Sequence, residues 1–306
     1  MRAFIFPGQG SQKVGMGKLW YDKYPEAKNI FDKVDDILQE SLSKKIFEGQ
    51  EDELTNTENA QPALLTVSIA ILEVIKKRTN FYCDITAGHS LGEYTALYAA
   101  GGINLVSVTK LVKYRGLLMS KSDESRNGKM AAIIGLNNDH VKKLIEDFRH
   151  SGVCELANDN STGQVVISGN KESVNDFKLL AKKEGAKLVV DLKVSAPFHC
   201  SLMKNAGENM KTELERTEFF NTKIPIIFNV NATNCSLKEH FPSLLSEQIT
   251  KTVKWREIII NMENQGVKEI YEIGSGNILI GLVKRTTKNI KCFSIQNPED
   301  MDNLKK

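Results

Sequence analysis

The chain has 306 residues, 41% hydrophobic and 26% charged, the balance of an ordinary globular protein with one large domain and room for a small insert. A net charge of +3 is too small to argue for nucleic-acid binding. Five scattered cysteines without a C-x-x-C pair argue against a disulfide framework or a zinc site. The apolar run at residues 3–6 is too short for the core of a signal sequence, so we expect none, and we expect no apolar run to approach the roughly 18 residues that span a bilayer.

A short apolar strand is predicted over residues 3–6, and the glycine-rich sequence PGQGSQ at positions 7–12 ends it. The glycine spacing fits neither G-x-G-x-x-G nor G-x-x-x-x-G-K-[ST], so a phosphate-binding loop is not supported. A turn at a strand end leaves backbone N–H groups free to point into a site, and Gln9, flanked by glycines, is the natural donor. The alternative is a tight turn without a chemical role.

Two helices are predicted before the next strand. Residues 25–39 carry an apolar stripe at helical spacing, and a second helix opens at the sequence QPA, positions 61–63. This second helix is apolar over much of its surface, so we expect it to lie beneath other elements. The polar residues 51–59 are predicted to form a loop.

The sequence GHSLG at positions 88–92 has the G-x-S-x-G pattern of a nucleophile elbow. Residues 84–87 before it are consistent with a buried strand, and residues 93–100 after it predict a helix. On such a turn the hydroxyl of Ser90 would be exposed at the positive end of the helix, and the glycines allow a sharp bend. Ser90 is the candidate nucleophile; the alternative is a glycine-rich turn with an exposed hydroxyl.

Asn104 is predicted to cap the following helix, in which Arg115 falls where the apolar stripe requires another apolar residue. An inward guanidinium is costly unless an anion meets it, and its planar fork suits a carboxylate. Either a protein acid or a bound ligand should supply that charge. A structural ion pair, or an arginine reaching solvent at the helix end, is the commoner alternative.

Residues 128–192 are predicted to form a separate unit, with polar flanks 122–127 and 193–195 as plausible hinges. Its elements follow the order βαββαβ, which is typical of a ferredoxin-like module. The predicted segments are the strand 129–135, the helix 138–149, the strands 154–157 and 164–168 joined by a turn over 158–163, the helix 172–184 and the strand 187–191.

The remaining residues, 1–127 and 193–306, form the predicted core. Strands alternate with helices there, which indicates an α/β fold with a mostly parallel sheet covered on both faces. The predicted segments after the insert are the strands 225–229, 268–273 and 292–295 and the helices 201–215, 243–249, 252–264 and 278–285.

A serine nucleophile needs a base, most often a histidine. His199, at the start of a helix downstream of the serine, is the candidate; a packed or capping histidine is the alternative. The other four histidines are less suitable. His89 adjoins the serine and should point away from its hydroxyl, and the remaining three lie in polar stretches: His140, His150 and His240. No acid stands out as a third member, so a backbone carbonyl or an amide could orient the imidazole.

With these pieces placed, the chain resembles the malonyl-CoA:acyl carrier protein transacylase family, stand-alone enzymes of dissociated fatty-acid synthesis, and the acyltransferase domains of polyketide synthases. The resemblance covers nearly the whole chain, with several motifs in the right order. They are FPGQGSQ at 6–12, QPA at 61–63, GHSLGE at 88–93, RG at 115–116, Asn160 with GQVVISG at 163–169, PFH at 197–199, Gln248, and EIG at 272–274 with Gly276.

The resemblance implies a hydrolase-like α/β core with an inserted ferredoxin-like subdomain. It implies that Ser90 is the acylated nucleophile and His199 its base. Gln248 resembles the residue whose backbone carbonyl orients that histidine, which would account for the missing acid. The N–H groups of Gln9 and Leu91 would form the oxyanion hole.

Substrate recognition is implied as well. Arg115 would pair with the malonyl carboxylate, which reverses the general expectation of a structural ion pair. Phe198 would fill the space that an α-methyl group needs, so that methylmalonyl is disfavoured. Asn160 and Gln248 complete the implied substrate-binding set.

The implied reaction transfers malonyl from malonyl-CoA to the phosphopantetheine thiol of acyl carrier protein through a malonyl-serine ester, for type II fatty-acid biosynthesis. We expect no cofactor or metal, an acidic and transient carrier partner, no nucleic acid or membrane, a monomer and a cytoplasmic location. A serine esterase or thioesterase is the runner-up, and a non-catalytic carrier-binding module is the alternative of another class. The basic residues Lys284, Arg285 and Lys288 could meet the carrier, although a solvated helix end is the simpler interpretation.

Overall fold

The computed structural model describes residues 1–123 and 127–305, so that part of the first predicted hinge, residues 124–126, lies outside the described residues. The strands are β1 (Arg2–Phe6), β2 (Ile85–Gly88), β3 (Gly128–Ile134), β4 (Cys154–Ser161), β5 (Gln164–Asn170), β6 (Leu188–Asp191), β7 (Ile226–Ile227), β8 (Asn234–Cys235), β9 (Glu269–Ile273) and β10 (Lys291–Ile295).

The helices alternate with these strands along much of the chain. They are α1 (Lys18–Lys23), α2 (Pro25–Leu38), α3 (Leu42–Glu48), α4 (Glu51–Thr55), α5 (Thr57–Arg78), α6 (Gly92–Ala99), α7 (Leu105–Lys121), α8 (Asn138–Asp147), α9 (Lys171–Lys183), α10 (Lys204–Arg216), α11 (Phe241–Gln248), α12 (Trp255–Asn264) and α13 (Ile278–Thr286). Short 3-10 helices span Ser201–Met203, Lys238–His240 and Pro298–Lys305.

The larger sheet has the strand order β10-β9-β1-β2-β7-β8, and all of its pairs are parallel except β7 with β8. Side chains of β1 alternate between two apolar clusters, with Phe4 and Phe6 in one and Ala3 and Ile5 in the other. A parallel sheet needs cover on both faces, and this alternation supplies it. The predicted α/β fold with a mostly parallel sheet is confirmed.

The smaller sheet has the order β4-β5-β3-β6, and every pair in it is antiparallel. One face carries Ala131 and Ile133, which cluster with apolar residues of α8 and α9. Met130 and Ala132 on the opposite face belong to the main apolar cluster, which lies mostly in the larger unit. The smaller unit is the smaller sheet with α8 and α9, and the larger unit is the larger sheet with the other helices. The smaller sheet therefore packs with helices on one face and against the rest of the molecule on the other.

Helix α5 differs from the sequence expectation in two ways. It begins at Thr57, so the predicted loop 51–59 is instead α4 and the first turn of α5. Two of its polar residues, Thr57 and Asn59, are buried and hydrogen-bonded: the Asn59 amide donates to the backbone oxygen of Glu53 (2.9 Å), and the Thr57 hydroxyl lies 2.8 Å from that of Ser195. By length and composition α5 could also cross a membrane, contrary to the expected absence of such a run, but 89% of its most apolar window is buried in the protein core.

Polar sequence also misled the prediction of a turn over residues 158–163. Strand β4 continues to Ser161 and only positions 162–163 lie between it and β5. Shifts of register flank Asn158 and Asp159, where the strand is bulged. Bulges commonly re-aim side chains near functional sites, and polar residues here have tertiary partners that the local sequence does not reveal.

Strand β4 joins the smaller sheet to the larger unit. The backbone N–H of Asp159 donates to the carbonyl of Val253 (2.9 Å), and the N–H of Val253 donates to the carbonyl of Ala157 (2.9 Å). The buried carboxylate of Asp159 accepts two bonds from Arg256 of α12, from Nε at 2.9 Å and from a terminal nitrogen at 2.8 Å. Lys142 of α8 approaches the same carboxylate at 3.3 Å. These charges hold the Asp159 pKa below its usual value, against the effect of burial.

Arg256→Ala should lower the free energy of unfolding by about 3 kcal/mol, because it leaves a buried carboxylate with only Lys142 as a cationic partner. Urea unfolding at neutral pH measures the change. The control is Lys251→Ala, which removes an exposed ion pair with Glu247 and should cost about 0.5 kcal/mol or less. Equal losses in the two variants would contradict a stabilising role for the Asp159 pair.

Candidate active site

Ser90 lies on a strained bend between β2, which ends at Gly88, and α6, which begins at Gly92. Its φ of 51° is in the left-handed region that favours glycine. A Cβ on Gly88 would lie 1.9 Å from backbone atoms of Gly92, so the glycine is required for the two arms of the bend to approach. The strain persists because neighbours hold it: the Ser90 N–H donates to the Asn229 side-chain oxygen at 2.8 Å.

The hydroxyl of Ser90 contacts His199, with 2.8 Å between Oγ and Nε2. The other ring nitrogen, Nδ1, lies 2.7 Å from the backbone oxygen of Gln248. A carbonyl oxygen can only accept, so Nδ1 carries the hydrogen and Nε2 has the lone pair that faces the serine. This tautomer is the one a general base requires, and no acid is needed to set it.

His199 is held in the neutral form. Burial lowers its pKa to about 3, and the positive charge of Arg115 acts in the same direction. The hydrogen bond to the Gln248 carbonyl opposes this shift without cancelling it. At neutral pH the imidazole is therefore free to take a proton from Ser90.

The guanidinium of Arg115, on α7, is fully buried beside the serine. One terminal nitrogen donates to the side-chain oxygen of Gln61 at 2.6 Å; the other donates to that of Gln248 at 2.8 Å and to Ser90 Oγ at 3.1 Å. Its Nε has no partner among the described residues. Burial lowers the pKa of Arg115. The hydrogen-bond acceptors around the cation are thus neutral, and Arg115 forms no ion pair with any acid that the structure describes.

Two backbone N–H groups complete the surroundings of Ser90. Gln9 follows β1, Leu91 precedes α6, and both residues line the same cavity. Within the described ranges 1–123 and 127–305, neither N–H donates a backbone hydrogen bond. The turn of Gln9 is held close to the elbow: a Cβ on Gly8 would lie 2.5 Å from the His89 carbonyl oxygen. Free donors beside a nucleophile are the elements of an oxyanion hole.

A cavity of about 240 Å³ opens above these groups. It is bounded by the nucleophile, the histidine, the arginine and a mostly apolar wall, and Phe198 belongs to that wall. Its lining residues are Gln9, Gly10, Gln12, Gln61, His89, Ser90, Leu91, Arg115, Met119, Met130, Asn158, Leu192, Lys193, Val194, Phe198 and His199. Contributions come from both sheets, so the site lies where the two units meet.

Two predicted substrate-binding residues lie behind this wall. Gln248 is fully buried, and Asn160 places its side-chain oxygen 2.8 Å from His89 Nε2. Neither is among the described residues that line the cavity. Asn158, two positions earlier on the same strand, does line it and was missed.

The sequence also missed the partners that support the elbow. Gln61 and Glu93 belong to the motifs QPA and GHSLGE, but neither residue was assigned a role from the sequence. Membership of a motif was the one sign that they could matter to the site. Asn229 was read only as the end of a strand; that strand, predicted over 225–229, is limited to Ile226–Ile227, and Asn229 turns toward the elbow.

A second serine–histidine–aspartate grouping occurs in the smaller unit. His150 Nδ1 lies 2.8 Å from Ser173 Oγ, and its Nε2 lies 3.0 Å from Asp176. Ser173 is fully buried, so no substrate carbonyl can reach its hydroxyl. The short distances among these three side chains therefore do not make them a catalytic site, and the cavity at Ser90 is the candidate active site.

No group of three or more His, Cys, Asp or Glu that could hold a metal ion occurs in the part of the chain that the structure describes.

A strained serine, a neutral histidine and two N–H groups without a hydrogen-bond partner in the described chain form an arrangement that suits covalent acyl transfer. Residues 3–301 match the acyl transferase domain family. Malonyl CoA-acyl carrier protein transacylase of Bacillus subtilis (strain 168) is 42% identical over 98% of this chain and 95% of its own length. The corresponding protein of Staphylococcus aureus (strain MRSA252) is 38% identical over 98% and 96%.

Solved structures give the same result. An acyl-carrier-protein S-malonyltransferase from Bartonella henselae has a TM-score of 0.96 at 42% identity and covers 99% of this chain and 97% of its own. A malonyl-transacylase in complex with a type II polyketide acyl-carrier protein has a TM-score of 0.96 at 35% identity, covering 99% and 98%. The chain belongs to the acyl transferase domain family, and within it to the malonyl-CoA:acyl carrier protein transacylases.

The pH profile tests the state of His199. Its ordinary pKa is about 6.5, so an exposed histidine base would lose about 30-fold in kcat/KM at pH 5. Because burial holds the pKa near 3, we expect Ser90 acylation to change by less than about twofold between pH 7.5 and 5. A loss of acylation rate with an apparent pKa near 6.5, measured by stopped flow, would contradict the buried neutral base.

The same depressed pKa of His199 means that the free energy of unfolding falls as the pH drops from 6.5 toward 3.

Proposed function

We propose that this protein transfers the malonyl group of malonyl-CoA to the phosphopantetheine thiol of acyl carrier protein, in type II fatty-acid biosynthesis. The observation that carries the proposal is the buried cation 3.1 Å from the nucleophilic oxygen. A malonyl ester of Ser90 would place its free carboxylate three bonds beyond Oγ, within reach of Arg115. The Nε without a partner and the planar fork suit that carboxylate.

Acylation follows from the contacts around Ser90. His199 Nε2 takes the hydroxyl proton as Oγ attacks the thioester carbon, and the carbonyl oxygen becomes an oxyanion. The N–H groups of Gln9 and Leu91 stabilise it; losing one such donor typically costs about 10²–10³ in rate. Collapse of the intermediate expels coenzyme A, which takes the proton from His199, and leaves the malonyl-Ser90 ester.

Deacylation reverses these steps with a different thiol. The phosphopantetheine thiol of the carrier loses its proton to His199 and attacks the ester carbon. The same two N–H groups stabilise the second oxyanion, and Ser90 recovers its proton from the imidazole. Coenzyme A leaves before the carrier arm enters, so the kinetics are ping-pong.

Acyl selectivity depends on the cavity wall. Phe198, only 6% exposed and adjacent to the base, fills space that an α-methyl group would need, so methylmalonyl is disfavoured. For Gln248 and Asn160 the contacts support roles behind the wall, through Arg115 and His199 in the first case and His89 in the second.

The domain division remains our proposal: a hydrolase-like core of residues 1–127 and 193–306 and a ferredoxin-like subdomain of 128–192. It is supported by the order second-third-first-fourth of the strands β3 to β6 within their sheet. We also propose a cytoplasmic monomer without a cofactor, nucleic acid or membrane partner. Five free cysteines and a net charge of +3 support this, as does a site whose reacting groups come from one chain.

Intact-mass measurement after mixing with malonyl-CoA tests the covalent intermediate. The unmodified chain should gain one malonyl group, and Ser90→Ala should gain none because the attacking oxygen is absent. The matched control is Ser173→Ala, which removes the serine of the buried second grouping and should leave the adduct unchanged. Turnover to free malonate in the absence of carrier protein would favour a hydrolase instead.

Arg115→Ala should reduce kcat/KM for malonyl transfer by about 10²–10³-fold, because the substrate carboxylate would be buried without its cationic partner. Acetyl transfer lacks that carboxylate and should fall by about tenfold or less. Steady-state transfer to carrier protein from the two CoA esters gives both values. Equal losses would remove the substrate role of Arg115.

A further inference from the structure

Glu93 is a buried carboxylate that the proposed mechanism does not use. It lies in the first turn of α6, three residues after the nucleophile, and is fully buried. One oxygen accepts the backbone N–H of Asn229 at 2.5 Å, and the other accepts the side-chain Nε2 of Gln248 at 2.6 Å. Burial raises the Glu93 pKa, while the Asn229 N–H, the Arg115 charge and the Gln248 amide oppose the rise. Both oxygens accept from N–H donors, which is the contact pattern of the ionised carboxylate. Burying a carboxylate costs stability, so we expect a role for Glu93 in the site.

The two partners of Glu93 hold both the bend at Ser90 and the Arg115 guanidinium. Gln248 Nε2 also donates to the Ser90 carbonyl at 2.8 Å, and its side-chain oxygen accepts from Arg115 at 2.8 Å. The side chain of Asn229 accepts from the Ser90 N–H at 2.8 Å and donates to the Gly88 carbonyl at 2.7 Å. The strained bend and the guanidinium are thus both fixed by residues that Glu93 holds.

An amide can present either of its ends to a neighbour. The Gln248 amide must present its oxygen to Arg115, because a guanidinium only donates. The opposite, donating end meets a Glu93 carboxylate oxygen at 2.6 Å and the Ser90 carbonyl at 2.8 Å, and the two acceptors together set this orientation.

We propose that Glu93 is a positioning residue that sets malonyl selectivity: it orients the Gln248 amide and thereby holds the Arg115 guanidinium beside Ser90. The inference rests on the proposed malonyl transfer. Glu93 does not touch the cavity; it acts through the amide, and its effect should be larger for the substrate that needs the arginine.

Glu93→Gln is nearly isosteric but has one acceptor and one donor end. If its oxygen faces the Asn229 N–H, its NH₂ meets the Gln248 NH₂, and that amide must flip and present a donor to Arg115. If its oxygen faces Gln248, its NH₂ meets the Asn229 N–H. Either arrangement leaves two buried donors face to face, which is costly.

The experiment compares malonyl and acetyl transfer to carrier protein in full-length variants. For Glu93→Gln the malonyl-to-acetyl ratio of kcat/KM should fall by about 10- to 100-fold, a typical range for a partner that acts behind a site. The matched control is Glu272→Gln, another fully buried carboxylate, which accepts the N–H groups of Leu279 (3.2 Å) and Ile280 (2.9 Å) at the start of α13. It should lower thermal stability and leave the ratio within about twofold.

An unchanged ratio in Glu93→Gln, with or without lower activity on both esters, overturns the proposal. If that variant does not fold, Gln248→Leu decides, because it removes the amide and keeps the backbone carbonyl that orients His199. Its ratio should fall similarly, and an unchanged ratio there also overturns the proposal. Failure of the wild-type chain to transfer malonyl would instead refute the proposed function.

Discussion

The structure depends on one unusual constraint: a guanidinium fully buried beside a nucleophile, with neutral acceptors as its partners. Burying a cation is expensive, and in an ordinary core an acid would pair with it directly. The buried Glu93 acts on this charge electrostatically but is connected to the guanidinium only through the Gln248 amide. Here Arg115 contacts Gln61, Gln248 and Ser90, its Nε has no partner among the described residues, and the residue lines the cavity. Under the proposed function, a carboxylate that enters with the substrate would pair with this guanidinium, and the free energy of that pairing would offset part of the cost of burying it.

The same cation affects the reacting groups. It helps keep His199 neutral, and its hydrogen bond to Ser90 Oγ is available to stabilise the hydroxyl as it loses a proton. The elbow adds a second constraint, because a left-handed serine is stable only when its surroundings fix it. Asn229 and Gln248 do so from outside the cavity. The catalytic geometry therefore belongs to a buried polar network rather than to the serine and histidine alone.

The smaller unit contributes to the site through strand β4. Asn158 lines the cavity, Asp159 pairs with Arg256 of the larger unit, and Asn160 contacts His89. Three consecutive polar residues thus have three different tertiary roles. The hydrogen bonds and the ion pair of this strand hold the cavity wall in place beside the elbow, which matters because small displacements at a reacting centre are costly.

The sequence alone determined the alternation of helices and strands, the elbow at Ser90, the choice of His199 and the inward position of Arg115. Each of these depends on local periodicity or on a short motif, which a chain carries wherever it folds. Only the tertiary structure decided that residues 51–59 are mostly helical and that residues 158–161 continue a strand, since buried polar side chains such as Thr57 and Asp159 find their partners far away in sequence. It also brought Asn229 to Ser90 and Gln248 to Arg115, across 139 and 133 positions. Contacts at such separations are set by packing of the whole sheet, and no local pattern encodes them.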